Sequence, residues 1–121
     1  MPRINLVLYK TLGETSGYGD WPNFPDDWND PRVECWSLDI DEAEETLLEE
    51  NLVKPVDKLC DACLDFDEAD FFNAAKCGQI KAWAEGEMRS ELPGVLAAVL
   101  PKLRDFAARA VELGTGIVIE L

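Results

Sequence analysis

The sequence contains no histidine. Imidazole is the usual general base near neutral pH, the usual partner of a Ser or Cys nucleophile and a frequent metal ligand. A Ser–His or Cys–His catalytic pair and a histidine-containing metal site are therefore excluded. Cys77, beside Lys76, is the one cysteine with a basic neighbour in sequence, and that neighbour alone is weak support for a reactive thiolate.

Basic residues are also scarce, with 11 Lys and Arg against 25 Asp and Glu, a net charge of −14. Proteins bind nucleic acid largely by neutralising phosphates with Lys and Arg, so direct nucleic-acid binding is disfavoured. An anionic membrane surface is disfavoured for the same reason. The glycines at positions 13, 17 and 19 lack a following G-K-S/T and have acidic neighbours, so they do not form a phosphate cradle.

Long apolar runs are missing. The longest, residues 94–100, is far shorter than a membrane-spanning helix requires. The start of the chain leads directly into a strand-like segment without the features of a signal peptide. We expect a cytoplasmic protein in which the four cysteines are thiols. The length of 121 residues suits a single domain, 1–121, that folds without a cofactor.

The acidic residues that are present lie in one part of the chain. Residues 13–70 hold 19 acidic and three basic residues, a net charge of −16, whereas residues 71–121 hold six of each. A uniform solubilising shell, the alternative explanation, would spread this charge evenly. The distribution predicts an acidic face that binds a basic protein surface.

Within this segment, residues 17–31 combine two Trp, one Tyr and one Phe with four Asp and three Pro. Pro, Gly, Asp and Asn predict a loop. The Trp side chains either cover the core or anchor a partner, and the sequence leaves both open. The partner-binding residues that we predict from the loop and from the acidic helix after it are Asp20, Trp21, Phe24, Asp26, Asp27, Trp28, Asp30, Glu42, Glu45 and Glu49.

The pattern of apolar residues predicts an α+β fold. Strands are expected at residues 4–10, 33–40 and 117–121, which gives a sheet of about three strands built from both chain ends and residues 33–40 and covered by three to five helices. The apolar last strand is expected to be central or well covered. In the second strand, Trp36, Leu38 and Ile40 are expected on one face.

Helices are expected between the second and last strands. Asp41 and Glu44 form a capping box for a helix over residues 41–52, with Ala43, Leu47 and Leu48 inward. The chain restarts at Lys54, and a second amphipathic helix places Val56, Leu59, Cys60, Cys63 and Leu64 inward. Asp67 is expected to cap a third helix through Ala69, Phe72 and Ala75, with Gly78 either inside it or at its end. The fourth helix, residues 92–113, is expected to carry Leu113 on its inward face and to break or kink near Pro101. Gly114 and Gly116 are expected to close it.

Cys60 and Cys63 form a C-x-x-C motif, which requires a choice among zinc binding, redox chemistry and core packing. A zinc site would use Cys35, Cys60, Cys63 and Cys77, but their separations are not those of two paired C-x-x-C units. A redox motif would sit at a helix N-terminus, whereas Cys60 falls inside a predicted helix. Core packing is favoured, and zinc binding remains the alternative.

Carboxylates support two further chemistries only weakly. With 25 acidic residues, close pairs arise by chance, so an enzyme using carboxylates in a cleft is a minor alternative. The second chemistry is Ca²⁺ binding by the Asp-rich loop, but this loop lacks the mid-loop Gly and the terminal Glu of an EF-hand.

The leading hypothesis is a non-enzymatic inhibitor or interaction protein that occludes a basic surface, with carboxylates in the place of phosphates. Its expected partner is a nuclease or another nucleic-acid-binding protein. Immunity proteins and phage-type inhibitors of restriction or CRISPR systems have this composition and size.

Overall fold

The computed structural model describes residues 3–11, 22, 24–25, 27–62 and 69–121. Within these ranges, four strands form one antiparallel sheet: β1 (Arg3–Tyr9), β2 (Val33–Asp39), β3 (Ala69–Asn73) and β4 (Gly116–Glu120). Their order across the sheet is β2-β1-β4-β3, so the two chain ends pair at its centre. The helices are α1 (Glu42–Leu48), α2 (Lys54–Cys60), α3 (Ala74–Glu87) and α4 (Leu96–Leu113). The α+β class is confirmed, with one strand more than predicted.

The additional strand, β3, occupies the place where a helix beginning at Asp67 was expected, and that prediction is wrong. Phe71 and Phe72 are both buried, but Phe72 lies in the main core and Phe71 in a cluster on the other face of the sheet. Adjacent side chains that point to opposite faces are the signature of a strand. The helix begins only after Asn73, whose side chain accepts the Lys76 N–H at 3.0 Å.

The main core lies between one face of the sheet and the helices. Alternate residues of β1 and β4, such as Leu6 and Ile119, contribute from the sheet, and Leu52, Ile80 and Leu103 contribute from the helical layer. As predicted, Trp36, Leu38 and Ile40 share this face of the sheet, and the strand at the chain end is central. Within the described ranges, the structure holds no helix long and apolar enough to cross a membrane.

The first helical stretch is continuous from Glu42 to Cys60, because a π-turn (Glu49–Val53) joins α1 to α2. The predicted restart at Lys54 is therefore wrong. Pro55 has no N–H to donate, and its ring would clash with the carbonyl four residues earlier in a regular α-helix. The wider turn immediately before Pro55 relieves this conflict, and the Asn51 side chain donates to the Leu47 carbonyl at 2.9 Å. The predicted capping box of Asp41 and Glu44 is confirmed.

Several finer predictions about the helices are wrong. Ala43, Leu59 and Leu113 were expected inward but are exposed. Pro101 does not interrupt α4. Of the two positions left open for Gly78, the structure has the one inside α3. Gly114, in the left-handed conformation with φ 67°, ends α4 as predicted.

Gly116 was expected to help close α4, but it is the first residue of β4 and lies under the ring of Phe71. A Cβ added at Gly116 would lie 2.6 Å from Cε1 of Phe71 and closer still to the Phe72 carbonyl oxygen. A Cβ added at Gly78 would have no atom within 4 Å. Substituting Ala at each of the two glycines therefore compares a crowded position with an open one.

We predict that Gly116→Ala lowers the free energy of unfolding by about 1–3 kcal/mol, because Phe71 and the β3 backbone must move. Gly78→Ala should raise it by about 0.5–1 kcal/mol, since Ala loses less conformational entropy in a helix. Urea titration followed by circular dichroism measures both changes. A Gly116→Ala protein as stable as the wild type would contradict the packing of Phe71 over this strand.

Candidate protein-binding surface

The second face of the sheet carries a smaller apolar cluster of Val7, Tyr9, Val33, Phe71 and Val118, which we call the second-face cluster. The Tyr9 and Phe71 rings meet edge to face with centroids 5.9 Å apart. Tyr9 is fully buried, and burial raises the pKa of its hydroxyl to about 12. This face therefore requires cover, as the main core does.

Trp28, from the aromatic and acidic loop, provides part of that cover. Its ring packs against the second-face cluster, and its indole N–H donates to Oε1 of Glu120 at 3.1 Å. The same oxygen accepts the side-chain amide of Asn5 at 2.6 Å. Trp28 thus has a structural role that the sequence left open.

Phe24 extends this aromatic contact toward solvent. Its ring centroid lies 5.8 Å from that of Trp28, and 36% of the residue is exposed. Phe24 is therefore accessible to a partner, whereas Trp28 is half-buried beneath it. The predicted residues Asp20, Trp21 and Asp26 lie outside the described residues.

The two described carboxylates of the loop differ in their surroundings. Asp30 accepts two hydrogen bonds from the Arg32 side chain, at 2.9 and 2.7 Å, and one from its backbone N–H. These bonds lower the pKa of Asp30 to about 2. Asp27 is exposed and accepts the Asn29 N–H at 2.6 Å. Of the two, Asp27 is the more available to a partner.

The remaining predicted residues, Glu42, Glu45 and Glu49, lie on the helical layer. Their spacing of three and four residues places them on one side of the helix, over about 10 Å. We call them the carboxylate row. None of the three belongs to an ion pair among residues 3–11, 27–62 and 69–121, whereas Glu50 beside them pairs with Lys54 at 2.6 Å.

The predicted binding residues therefore form two groups. The loop around Trp28 covers the second face of the sheet, while the carboxylate row lies on a helix that packs against the first face through Leu48 and Leu52. The sequence predicted one acidic face because these residues are close in the chain. The sheet between them makes them two separate surfaces.

The described cysteines do not converge on a zinc site. Cys60 and Cys77 belong to the main core, whereas Cys35 packs against the second-face cluster. No three Cys, Asp or Glu side chains in the described part of the chain are placed to hold a metal ion. Cys63 lies outside the described residues.

The two core thiols are poorly suited to nucleophilic chemistry. Burial raises the pKa of Cys77 to about 12, and its Sγ donates to the Phe72 carbonyl at 3.3 Å. Burial likewise raises the pKa of Cys60. At neutral pH both remain thiols, and a thiol is a far weaker nucleophile than a thiolate. Lys76, which made Cys77 a candidate in the sequence, does not overcome the effect of burial.

Sequence reasoning missed one charged region, a groove between β2 and α4. Its charged lining residues are Glu34, Lys102, Asp105 and Arg109, and Glu34 pairs with Arg109 across it. These residues lie about 70 positions apart in the chain, so no local pattern reports their proximity.

Comparisons with known proteins identify no relative of this chain. No protein-family model matches the sequence, and neither curated proteins nor solved structures gave a match.

Trp28→Ala should lower the free energy of unfolding by about 2 kcal/mol, because it uncovers the second-face cluster and removes a donor to Glu120. Phe24→Ala should cost less than half as much, since Phe24 is more exposed. Denaturant titration of both variants tests this difference. Equal stability of Trp28→Ala and wild type would mean that the indole does not support the sheet.

The pH dependence of Asp30 tests its pairing with Arg32. Its folded pKa of about 2 lies below the ordinary value of 3.8. The pairing therefore stabilises the fold fully above about pH 4 and ceases to do so as the pH falls toward 2. In Arg32→Gln the pKa of Asp30 should rise partway toward 3.8, because the backbone N–H at position 32 still donates.

Carboxyl carbon chemical shifts of Asp30, followed by NMR through an acid titration, give this pKa directly. Arg3→Gln is the control, since it breaks the exposed pair between Arg3 and Asp39 at 2.8 Å and should leave the pKa of Asp30 unchanged. An Asp30 that titrates alike in the wild type and in Arg32→Gln would exclude Arg32 as the cause.

Proposed function

We propose that this chain is a non-enzymatic, cytoplasmic protein that binds and occludes a basic surface of a partner protein. The partner class that we propose is a nuclease or another nucleic-acid-binding protein, as for an immunity protein or a phage-type inhibitor of restriction or CRISPR systems. The observation that carries the proposal is the carboxylate row, three carboxylates on one helix side that belong to no ion pair among the described residues.

The carboxylate row destabilises its own helix, and this supports a role for the row in binding rather than in folding. Like charges three or four residues apart destabilise a helix by about 0.2–0.5 kcal/mol per pair. Glu42 and Glu45 lie in the first turn of α1, where the helix dipole and the capping box offset this cost. Glu49 lies in the π-turn, inside the continuous helix. It lies beyond the first turn, and Lys54, the cation whose pKa its charge helps to raise, already pairs with Glu50.

The net charge of −14 adds a long-range attraction to this local surface. Such a field raises the rate of encounter with a basic partner and repels nucleic acid. Occupation of a phosphate-binding surface by the row would exclude the partner's nucleic acid. Phe24 and Asp27 form a second, separate contact surface in this proposal, on the other side of the sheet.

The test begins with capture of the partner from host cells by the tagged chain, followed by binding measurements with the purified partner. Replacing the row by Glu42→Gln, Glu45→Gln and Glu49→Gln together should weaken binding at least about tenfold, since charge pairs across an interface each contribute about 1 kcal/mol or more. The effect should fall as salt rises and screens these charges.

The control is Glu87→Gln, Glu91→Gln and Glu112→Gln together. It changes the net charge equally at exposed positions in the neutral part of the chain. Equal loss of affinity in both triple variants would assign the attraction to net charge alone. Affinity that is insensitive to salt, or a partner that still binds its nucleic acid in the complex, would contradict occlusion.

A further inference from the structure

The outer edge of β2 has backbone groups without partners among the described residues. The Lys10 N–H donates to the Arg32 carbonyl at 3.0 Å, which fixes the alternation of the β1–β2 ladder. Because bonded pairs alternate along antiparallel strands, the backbone groups of Cys35, Ser37 and Asp39 point away from β1. Within the described residues, no backbone hydrogen bond outside the sheet reaches these three. An unpaired edge of this kind can pair with another strand.

A groove of about 350 Å³ runs along this edge, between β2 and α4. Trp36 and Phe106 supply apolar lining, and Trp36 remains partly exposed. A strand added to β2 would lie beside these two rings. An added strand could therefore form backbone hydrogen bonds with β2 and cover apolar side chains at the same place.

The charge of the groove indicates what can occupy it. Lys102 and Arg109 balance Glu34 and Asp105, so the lining is neutral on a chain whose net charge is −14. A strongly basic partner would be attracted to the carboxylate row rather than to this groove. Two copies of the chain, which repel each other elsewhere, meet here without excess like charge. A two-fold interface pairs one patch with itself, so a patch with both signs of charge can place each charge opposite one of the other sign.

We propose that β2 pairs antiparallel with β2 of a second copy around a two-fold axis. The sheets of the two copies, four strands each, would then join edge to edge. Trp36 of both copies becomes buried at the junction, beside the already buried Phe106. This dimer does not depend on the proposed function, since it uses residues outside the carboxylate row.

Sedimentation equilibrium of the whole chain tests the dimer. The expected result is a species of twice the 13.5 kDa chain mass, in a concentration-dependent equilibrium with the monomer. Lys102→Glu should raise the dissociation constant at least about tenfold, because it places excess negative charge in both halves of the groove. Lys102 is exposed on α4 and belongs to no ion pair among the described residues, so the fold should be retained.

Two further variants locate the contact. Ser37→Pro removes an N–H that points away from β1, so it should disrupt dimers while the β1–β2 ladder persists. Lys58→Glu, exposed on α2 and outside the groove, makes the same charge change as Lys102→Glu and should leave the dimer intact. A wild-type monomer at high concentration, or a dimer equally affected by Lys102→Glu and Lys58→Glu, would overturn the proposal.

Discussion

The pairing of β1 with β4 is the interaction on which the rest of the structure depends. It joins segments from opposite ends of the chain, with Leu6 opposite Ile119 and Val7 opposite Val118. These four side chains are completely buried, and they alternate between the two faces of the sheet. A strand pair buried on both faces requires cover on both sides, because exposed apolar area of this extent is costly in water. The helices cover one face, and Trp28 helps to cover the other.

This requirement accounts for the apolar residues that lie among the acidic ones in residues 13–70. The loop around Trp28 and the continuous helix from Glu42 to Cys60 each bury one side and expose the other. Their inward sides carry Trp28, Leu48 and Leu52, while their outward sides carry Asp27 and the carboxylate row, of which Glu42 and Glu49 are exposed. The negative charge is thus divided between two surfaces. On each of them it lies beside residues that the fold needs.

Sequence patterns predicted those elements whose apolar residues have a clear period and whose ends carry turn or capping residues. Alternation of apolar residues along the chain identified β1 and β2, and the spacing of Asp41 and Glu44 identified the start of α1. The pattern failed for β3, because Ala69, Phe72 and Ala75 share the spacing of a helix. Only pairing with β4 shows that Phe71 and Phe72 point to opposite faces. The carboxylate row could be found from helical spacing alone, whereas its separation from the loop depends on the sheet.

Residue type and short-range periodicity alone predict the α+β class, a central or well-covered last strand, the absence of histidine chemistry and the location of the negative charge. Only the folded structure shows that Trp28 supports the sheet, that Cys35 lies on the opposite face from Cys60 and Cys77, and that a neutral groove borders the outer edge of β2. Each of these depends on contacts between residues far apart in the chain, and such contacts form only when the strands pair and bring distant segments together.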